Sequence, residues 1–350
     1  MYHYDVFSKV CEHLNNKEKI YLTMTCVAMD KFKYKLIYTD VVSYRCVHHL
    51  PYYDNFEAII VDYFEIAFPK NVKKILSLDH KWRSLDLAGS LIFTADNEKK
   101  VVKIPPRVTK LKLCQTLIRS IELSIPKSVA QIDFCWGCND PLEKYITSSS
   151  VTHLTLPVNF NHDITDRIPN SVTHLIFGYY FNKPIKKCLP NSITHLFFGH
   201  CFDQPIKKYL PNSVTHLFFG HDFDQSIENS IPNSVTYLKF SSFFNQSIKG
   251  CIPSSVTHLN FGPSFNRSIK NSIPNSVTHL MLSYHFDKFK EPLPATITHL
   301  KIINCEKLDT QTTSDNFESL NDPYFMRIKK FIPSSIIVIL IPASLMSNVD

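Results

Sequence analysis

The chain has 350 residues, with 38 Lys and Arg against 31 Asp and Glu, a formal net charge of +7 and 44% hydrophobic residues. That apolar share supports a continuous core and excludes global disorder, while a mild basic excess without a dense Lys/Arg run reads as a solvated face rather than a nucleic-acid tract. No stretch approaches the roughly 18 apolar residues of a membrane span, and the charges scattered through the N-terminus leave no apolar region of a secretory signal.

Residues 1–45 read as a small helical module. Val6, Phe7, Val10 and Leu14 sit at helical spacing on one face. Asn15-Asn16 interrupts, Glu18-Lys19-Ile20-Tyr21-Leu22 begins a second helix, and Cys26, Met29, Phe32 and Leu36 continue an apolar face. A unit this small docks on a partner or on the end of a neighbouring array. The run Val10-Cys11-x-x-Leu14-Asn15-Asn16-x-Glu18-x-Ile20-x-Leu22-x-x-Thr25-Cys26 resembles a divergent F-box. The resemblance implies that Val6, Val10, Leu14, Ile20, Leu22 and Cys26 contact the Skp-type adaptor of a cullin–RING ubiquitin ligase. Tyr2-His3 replaces the Leu-Pro opening of that motif, and Met29 stands where Trp is common. A helical cap shielding the first coil of a repeat array is the other reading of the same residues.

Residues 46–104 read as a linker and a degenerate N-terminal repeat or cap. Within it Trp82-Arg-Ser-Leu85-Asp-Leu87 shares the cadence of the downstream repeats.

From 105 to 304 a block returns about every 21 residues: Pro-Asn-Ser-Val-Thr-His-Leu-x-Phe-Gly, as at Pro169, Pro190 and Pro211. Such a period marks a stacked solenoid. With the first Val of each block as position one, coils start at Val108, Val129, Val151, Val172, Ile193, Val214, Val235, Val256, Val277 and Ile297. Position four is Leu from Leu154 to Leu300, position six is mostly Phe, position ten is Phe from Phe160 to Phe286, position fourteen is Ile, and position eighteen is Ile or Leu before a Pro. Positions four and six alternate with position five at a strand period. The cadence is that of a leucine-rich repeat with one short parallel strand per coil, and the position-ten rings are expected to stack as a ladder. Phe181-Asn182-Lys183-Pro184-Ile185 and Phe265-Asn266-Arg267-Ser268-Ile269 resemble FNIP repeats, leucine-rich-repeat-like units of amoebae and of the large DNA viruses that infect them. Asp replaces Asn at Asp203, Asp224 and Asp287.

The residues flanking positions four and six face solvent on the concave side of such a solenoid. Position three is a histidine ladder: His153, His174, His195, His216, His258, His279 and His299, interrupted by Tyr237. Position five varies, and Ile176, Phe197 and Phe218 form an apolar patch in mid-array that marks a partner site. Target-binding candidates are therefore Ile176, Phe197, Phe218, Tyr237, Lys239, His195 and His216. A linear ladder does not supply the tetrahedron that zinc requires, so no metal is assigned to it. Crowded imidazoles repel on protonation, which predicts depressed pKa values and stability lost on acidification.

Cys135-Trp-Gly-Cys138 has redox spacing, but Cys138 falls in the position-ten column and no βαβ context surrounds it. The ten cysteines lack regular spacing and are expected to be reduced thiols of a cytoplasmic protein, in the host cytoplasm if the chain is viral. Lys186-Lys187, Lys207-Lys208, Lys249 and Lys270 recur beside position fourteen as a solubilising face broken by Glu228. Residues 305–332 read as an insertion of open role, and 333–350 as a final repeat, Pro333-Ser-Ser-Ile336, with a C-terminal cap.

The expected whole is an F-box-like helical module followed by a leucine-rich-repeat-like solenoid with a parallel β-sheet. Its expected function is a non-enzymatic adaptor, the substrate-recognition subunit of an SCF-type ubiquitin ligase, with a Skp-type protein and a protein target as partners. No cofactor, nucleic acid or membrane is expected, and the chain is expected to be monomeric outside the complex. The alternatives are a repeat scaffold with no ubiquitin role, or an enzyme using the Cys135/Cys138 pair or a metal on the histidine ladder.

Overall fold

The computed structural model describes residues 9–24, 30–61, 69–77, 100–104, 106–113, 121–134, 146, 150–303, 311–313 and 323–341. They fall into two compact units, Met1–Val158 and Asn159–Asp350.

In the first unit, helix α1 spans Asn16–Thr23. It starts where Asn15-Asn16 breaks the preceding pattern, because Asn15 Oδ1 accepts the Glu18 N–H and Glu18 Oε2 accepts the Asn15 N–H, both at 2.9 Å. This reciprocal pair satisfies two amides that a helix start leaves open. Strand β1 (Val42–Ser43), helix α2 (Tyr44–Val47) and strands β2 (Ala58–Val61), β3 (Lys74–Ser77), β4 (Lys100–Lys103), β5 (Lys110–Leu113), β6 (Ile121–Ser124), β7 (Gln131–Phe134) and β8 (His153–Thr155) come next in the chain. β1, β2, β3, β5, β7 and β8 pair in that order, all parallel. β4 and β6 form a separate parallel pair. Parallel pairing therefore begins well upstream of Val108. The turn that opens β3, Val72 N–H to the Pro69 carbonyl at 3.2 Å, repeats at Val129 and Pro126 at 3.1 Å.

The second unit holds β9 (His174–Ile176), β10 (His195–Phe197), β11 (His216–Phe218), β12 (Tyr237–Lys239), β13 (His258–Asn260), β14 (His279–Ser283), β15 (His299–Ile303), β16 (Gln311–Thr313), α3 (Pro323–Ile328) and β17 (Ile337–Ile341). β9 to β15 pair consecutively and in parallel, with Leu on Leu throughout and His on His except where Tyr237 intervenes. β17 adds in parallel to β15, and β16 closes the edge antiparallel to β17. This is a parallel-sheet solenoid with one strand per coil of about 21 residues.

Several letters of the repeated block have a bond to make. The Pro190 carbonyl accepts the Ile193 N–H at 3.3 Å, which turns the chain into the strand. Ser192 Oγ donates to the Val172 carbonyl of the previous coil at 2.6 Å, as Ser213 does to Ile193 and Ser234 to Val214. Thr194 Oγ1 and the Thr194 and His195 amides all converge on the Thr173 carbonyl. Position eleven forms a second ladder in which Asn182 Oδ1 accepts the Asp203 amide and Asp203 Oδ1 the Asp224 amide. Gly199 is required by close approach: a Cβ there would lie 1.9 Å from the Gly178 carbonyl oxygen.

The core is the set of columns read from the sequence. Leu175, Leu196, Leu217, Leu238 and Leu259 are fully buried at position four, as are Ile185, Ile206, Ile227 and Ile248 at position fourteen. The position-ten rings stack coil upon coil, with centroids 6.2 Å apart for Phe202–Phe223 and 6.1 Å for Phe181–Phe202. Position six forms a second column, 5.4 Å for Phe177–Phe198, that contacts position ten within the coil at 4.0 Å for Phe198–Phe202. Near-parallel planes at these separations are offset stacks, the favoured aromatic geometry.

The segment opposite the strands, whose conformation the sequence left open, is a turn with a left-handed residue at position sixteen. Asp166, Lys187, Lys208, Asn229, Gly250 and Asn271 there have φ between 52° and 68°. The insertion ends in a cap. Tyr324, Phe325 and Ile328 of α3 are buried, Tyr324 Oη donates to the Ser283 carbonyl at 3.3 Å, and Phe331 stacks on Phe289 at 5.7 Å.

Candidate interaction surface

Helix α1 is inside out relative to an ordinary surface helix. Asn16, Lys19 and Thr23, spaced to share one face, are its buried residues. Burying such groups requires bonds, and they have them. Lys19 Nζ donates to the Ile37 carbonyl at 3.0 Å, Asn16 Nδ2 to the Asp40 carbonyl at 3.2 Å, and Thr23 Oγ1 to the Ile20 carbonyl at 2.7 Å. The apolar residues turn outward: Tyr21 and Met24 are exposed, Val10 is 50% exposed, and Leu14, Ile20 and Leu22 are half-buried. Val6 and Cys26 lie outside the described residues, as do Cys135, Cys138 and the Trp82 unit.

In the second unit, position three of the sheet is a stack of rings. His174–His195, His195–His216, His258–His279 and His279–His299 have centroids 4.1, 4.2, 4.2 and 4.4 Å apart. Tyr237 continues the stack at 5.8 Å from His216 and 5.5 Å from His258. Each imidazole is oriented by the threonine before it. Thr194 Oγ1 donates its one proton to the Thr173 carbonyl, so its 2.9 Å contact with His195 Nδ1 takes the proton from the ring. Burial lowers the pKa of His258 and His279, and the positive charge of neighbouring histidines and Lys301 lowers it further.

The adjacent column, position five, carries the apolar patch. Ile176 is 40% exposed, and Phe197 and Phe218 are half-buried against each other at 4.3 Å. Tyr237 lies 5.0 Å from Phe218 and accepts the Asn260 Nδ2 proton at 2.8 Å, while Lys239 is half-buried beside it. The structure thus brings Ile176, Phe197, Phe218, Tyr237, His195, His216 and Lys239 onto neighbouring strands. Sequence reasoning missed the rim just beyond the strands, positions eight and nine, where Tyr179, Tyr180 and Phe243 are exposed. Their signal was an aromatic excess at positions that are not core columns.

Lys186, Lys187, Lys207, Lys208, Lys249 and Lys270 are exposed on the turn side, and Lys270 pairs with Glu291 at 2.7 Å.

The position-eleven amide ladder and the Ile at position fourteen together form the Phe-Asn-x-x-Ile signature seen in coil after coil. The FNIP Repeat family matches residues 160–201, 202–243, 244–285 and 269–305. The matched coils are similar to FNIP repeats. The first three matched stretches each open on a position-ten ring, Phe160, Phe202 and Phe244. The chain is also 32% identical over 71 residues, 20% of its length, to a protein named putative F-box protein R638 of Acanthamoeba polyphaga mimivirus. That match spans 53% of the relative, about half its length. A solved structure described as CroV588, a novel circular LRR protein, superposes with a TM-score of 0.60 at 31% identity, covering 84% of this chain and 40% of that one. Among the described residues, no helix is long and apolar enough to cross a membrane.

Proposed function

We propose that the chain is a non-enzymatic adaptor of the SCF type. Its N-terminal module binds a Skp-type protein through Val6, Val10, Leu14, Ile20, Leu22 and Cys26, and its repeats hold a protein target on Ile176, Phe197, Phe218, Tyr237, Lys239, His195 and His216. The mechanism is proximity: joining two binding surfaces raises the effective concentration of the target beside the ligase without any bond being made by the adaptor. The observation that carries this reading is helix α1, which buries Asn16, Lys19 and Thr23 while its Tyr21 and the flanking Val10 and Met24 face outward. An inverted helix gains apolar burial only when something covers it. The F-box name of the mimivirus relative supports the same assignment.

Co-purification with a Skp-type adaptor tests it. The intact chain is expected to capture the adaptor, and deletion of residues 1–45 or the pair Leu14→Lys and Leu22→Lys is expected to abolish capture. Failure of the intact chain to bind rejects the ubiquitin reading and leaves a repeat scaffold, for which the stacked aromatic face of β9 to β12 is the specific support.

A further inference from the structure

The rim at positions eight and nine gathers a second kind of chemistry. His200 and Cys201 form the turn that follows Phe198 and Gly199 at the end of β10, and His221 and Asp222 occupy the same two positions one coil later. Backbone bonds lock these segments in register: the Cys201 N–H donates to the Tyr179 carbonyl at 2.9 Å, the Asp222 N–H to the His200 carbonyl at 2.9 Å, and the Phe243 N–H to the His221 carbonyl at 3.1 Å. His200 stacks on His221 at 4.2 Å and on Tyr179 at 4.3 Å, and Phe243 meets the His221 ring edge-on at 4.3 Å.

Within this frame the ligand atoms of His200, Cys201 and Asp222 all lie within 4.8 Å of one another. Cys201 Sγ is 3.9 Å from His200 Nδ1, which is 3.7 Å from Asp222 Oδ2. Zinc bond lengths of about 2.0 Å to nitrogen and oxygen and about 2.3 Å to sulfur, set tetrahedrally, place ligand atoms roughly 3.3 to 3.6 Å apart. Both of those separations are therefore within a few tenths of an ångström of a binding geometry. The fourth residue orients the carboxylate. A carboxylate only accepts, so the 2.8 Å contact between His221 Nδ1 and Asp222 Oδ1 is an imidazole N–H donating, which leaves Oδ2 turned toward His200.

We propose that His200 Nδ1, Cys201 Sγ and Asp222 Oδ2 hold a divalent zinc-type ion, with His221 positioning the carboxylate and a fourth coordination place left to water. A nitrogen, thiolate and carboxylate set suits zinc or cobalt over magnesium or calcium, which take oxygen alone. The ion clips two neighbouring coils at the rim where Tyr179, Tyr180 and Phe243 are exposed. Burial raises the Cys201 pKa and the Asp222 charge raises it further, so the thiol is protonated before the metal arrives. Binding forms the metal–sulfur bond and releases that proton to solvent. The histidine ladder of the sheet face is a different set of residues and is not part of this site.

Titration of the full chain with Co²⁺ alone, followed by optical absorption, tests the proposal. One equivalent is expected to give a thiolate-to-cobalt charge-transfer band, displaced by Zn²⁺. Cys201→Ser is expected to remove the band, and Asp222→Asn or His200→Gln to weaken Co²⁺ binding by more than the about 10- to 100-fold that loss of an outer-shell partner costs, with far-ultraviolet dichroism unchanged. His221→Gln is expected to weaken binding less than His200→Gln, and Cys251→Ser to leave both band and affinity as they were. Absence of the band in the intact chain overturns the proposal, as does its survival in Cys201→Ser. Unaltered affinity in both Asp222→Asn and His200→Gln overturns the ligand set.

Discussion

Asp203 and Asp224 stand one coil apart, and the carboxylate of the first accepts the backbone N–H of the second at 2.9 Å. Asn182 does the same for Asp203 at 3.1 Å, and Asp224 for Asn245 at 2.7 Å. Only an acceptor oxygen is needed, which is why Asn and Asp interchange along the column without disturbing it.

Asp203→Asn is therefore expected to change stability by less than about 0.5 kcal/mol. Asp203→Leu leaves the Asp224 amide unsatisfied and removes the oxygen that Gln225 Nε2 reaches at 3.0 Å. It is expected to cost about 1 to 3 kcal/mol. Urea unfolding midpoints of the two variants check the difference, and equal losses would show that the side-chain oxygen is not what matters.

Lys187 and Lys208 occupy position sixteen with φ of 57° and 59°, a conformation in which Cβ crowds the backbone. Gly250 takes the same position at φ 68°, with no heavy atom within 4 Å of an added Cβ. Lys208→Gly is expected to stabilise by about 0.5 to 1 kcal/mol, and Gly250→Ala to destabilise by about 1 kcal/mol. Thermal denaturation of both variants should move in opposite directions. Movement in the same direction would place the strain elsewhere.

The repeat frame was legible because a parallel solenoid writes its core as columns. Leu196, Phe198, Phe202 and Ile206 are buried as their spacing implies, since each column stacks on its own copy one coil away. What stayed hidden was structure without a period. Phe56, Ile59 and Val72 are buried in the first unit on coils too irregular to align with Val108. The cap formed by Tyr324 and Phe325 comes after a segment that breaks the rhythm. Helix α1 was placed by Asn15 and Glu18, yet its orientation was not legible, because the buried bonds of Lys19 and Asn16 reach residues 18 and 24 positions away. The His200, Cys201, His221 and Asp222 cluster was overlooked for the opposite reason. Its members are in register, but they fall where the repeat letters vary.

Phe223 sits between Phe202 and Phe244 at 6.2 Å from each and touches Phe219 at 4.0 Å, with no exposed surface. Phe223→Ala removes one ring from the stack and is expected to cost about 3 to 5 kcal/mol. Phe223→Leu keeps most of the volume and is expected to cost less. Chemical denaturation that ranks the two alike would mean that ring stacking, not filled volume, dominates the core.

The stacked imidazoles should make the fold acid-sensitive. Burial, then the positive charge of neighbouring histidines and Lys301, holds the pKa of His258 and His279 below its ordinary value. In the unfolded chain these groups titrate near 6.5. Between the folded and unfolded pKa values the unfolded state binds more protons, so the contribution to stability is complete above about pH 6.5 and is lost as pH falls through the folded-state values. Thermal midpoints are expected to be level from about pH 8 to about 7 and to fall from about pH 6.5 toward about 5. In the double variant His258→Gln and His279→Gln the decline should be shallower, because fewer crowded rings remain to be charged. A decline of the same size in the variant would assign the acid sensitivity to groups outside the histidine stack, and a flat profile in the intact chain would remove the repulsion altogether.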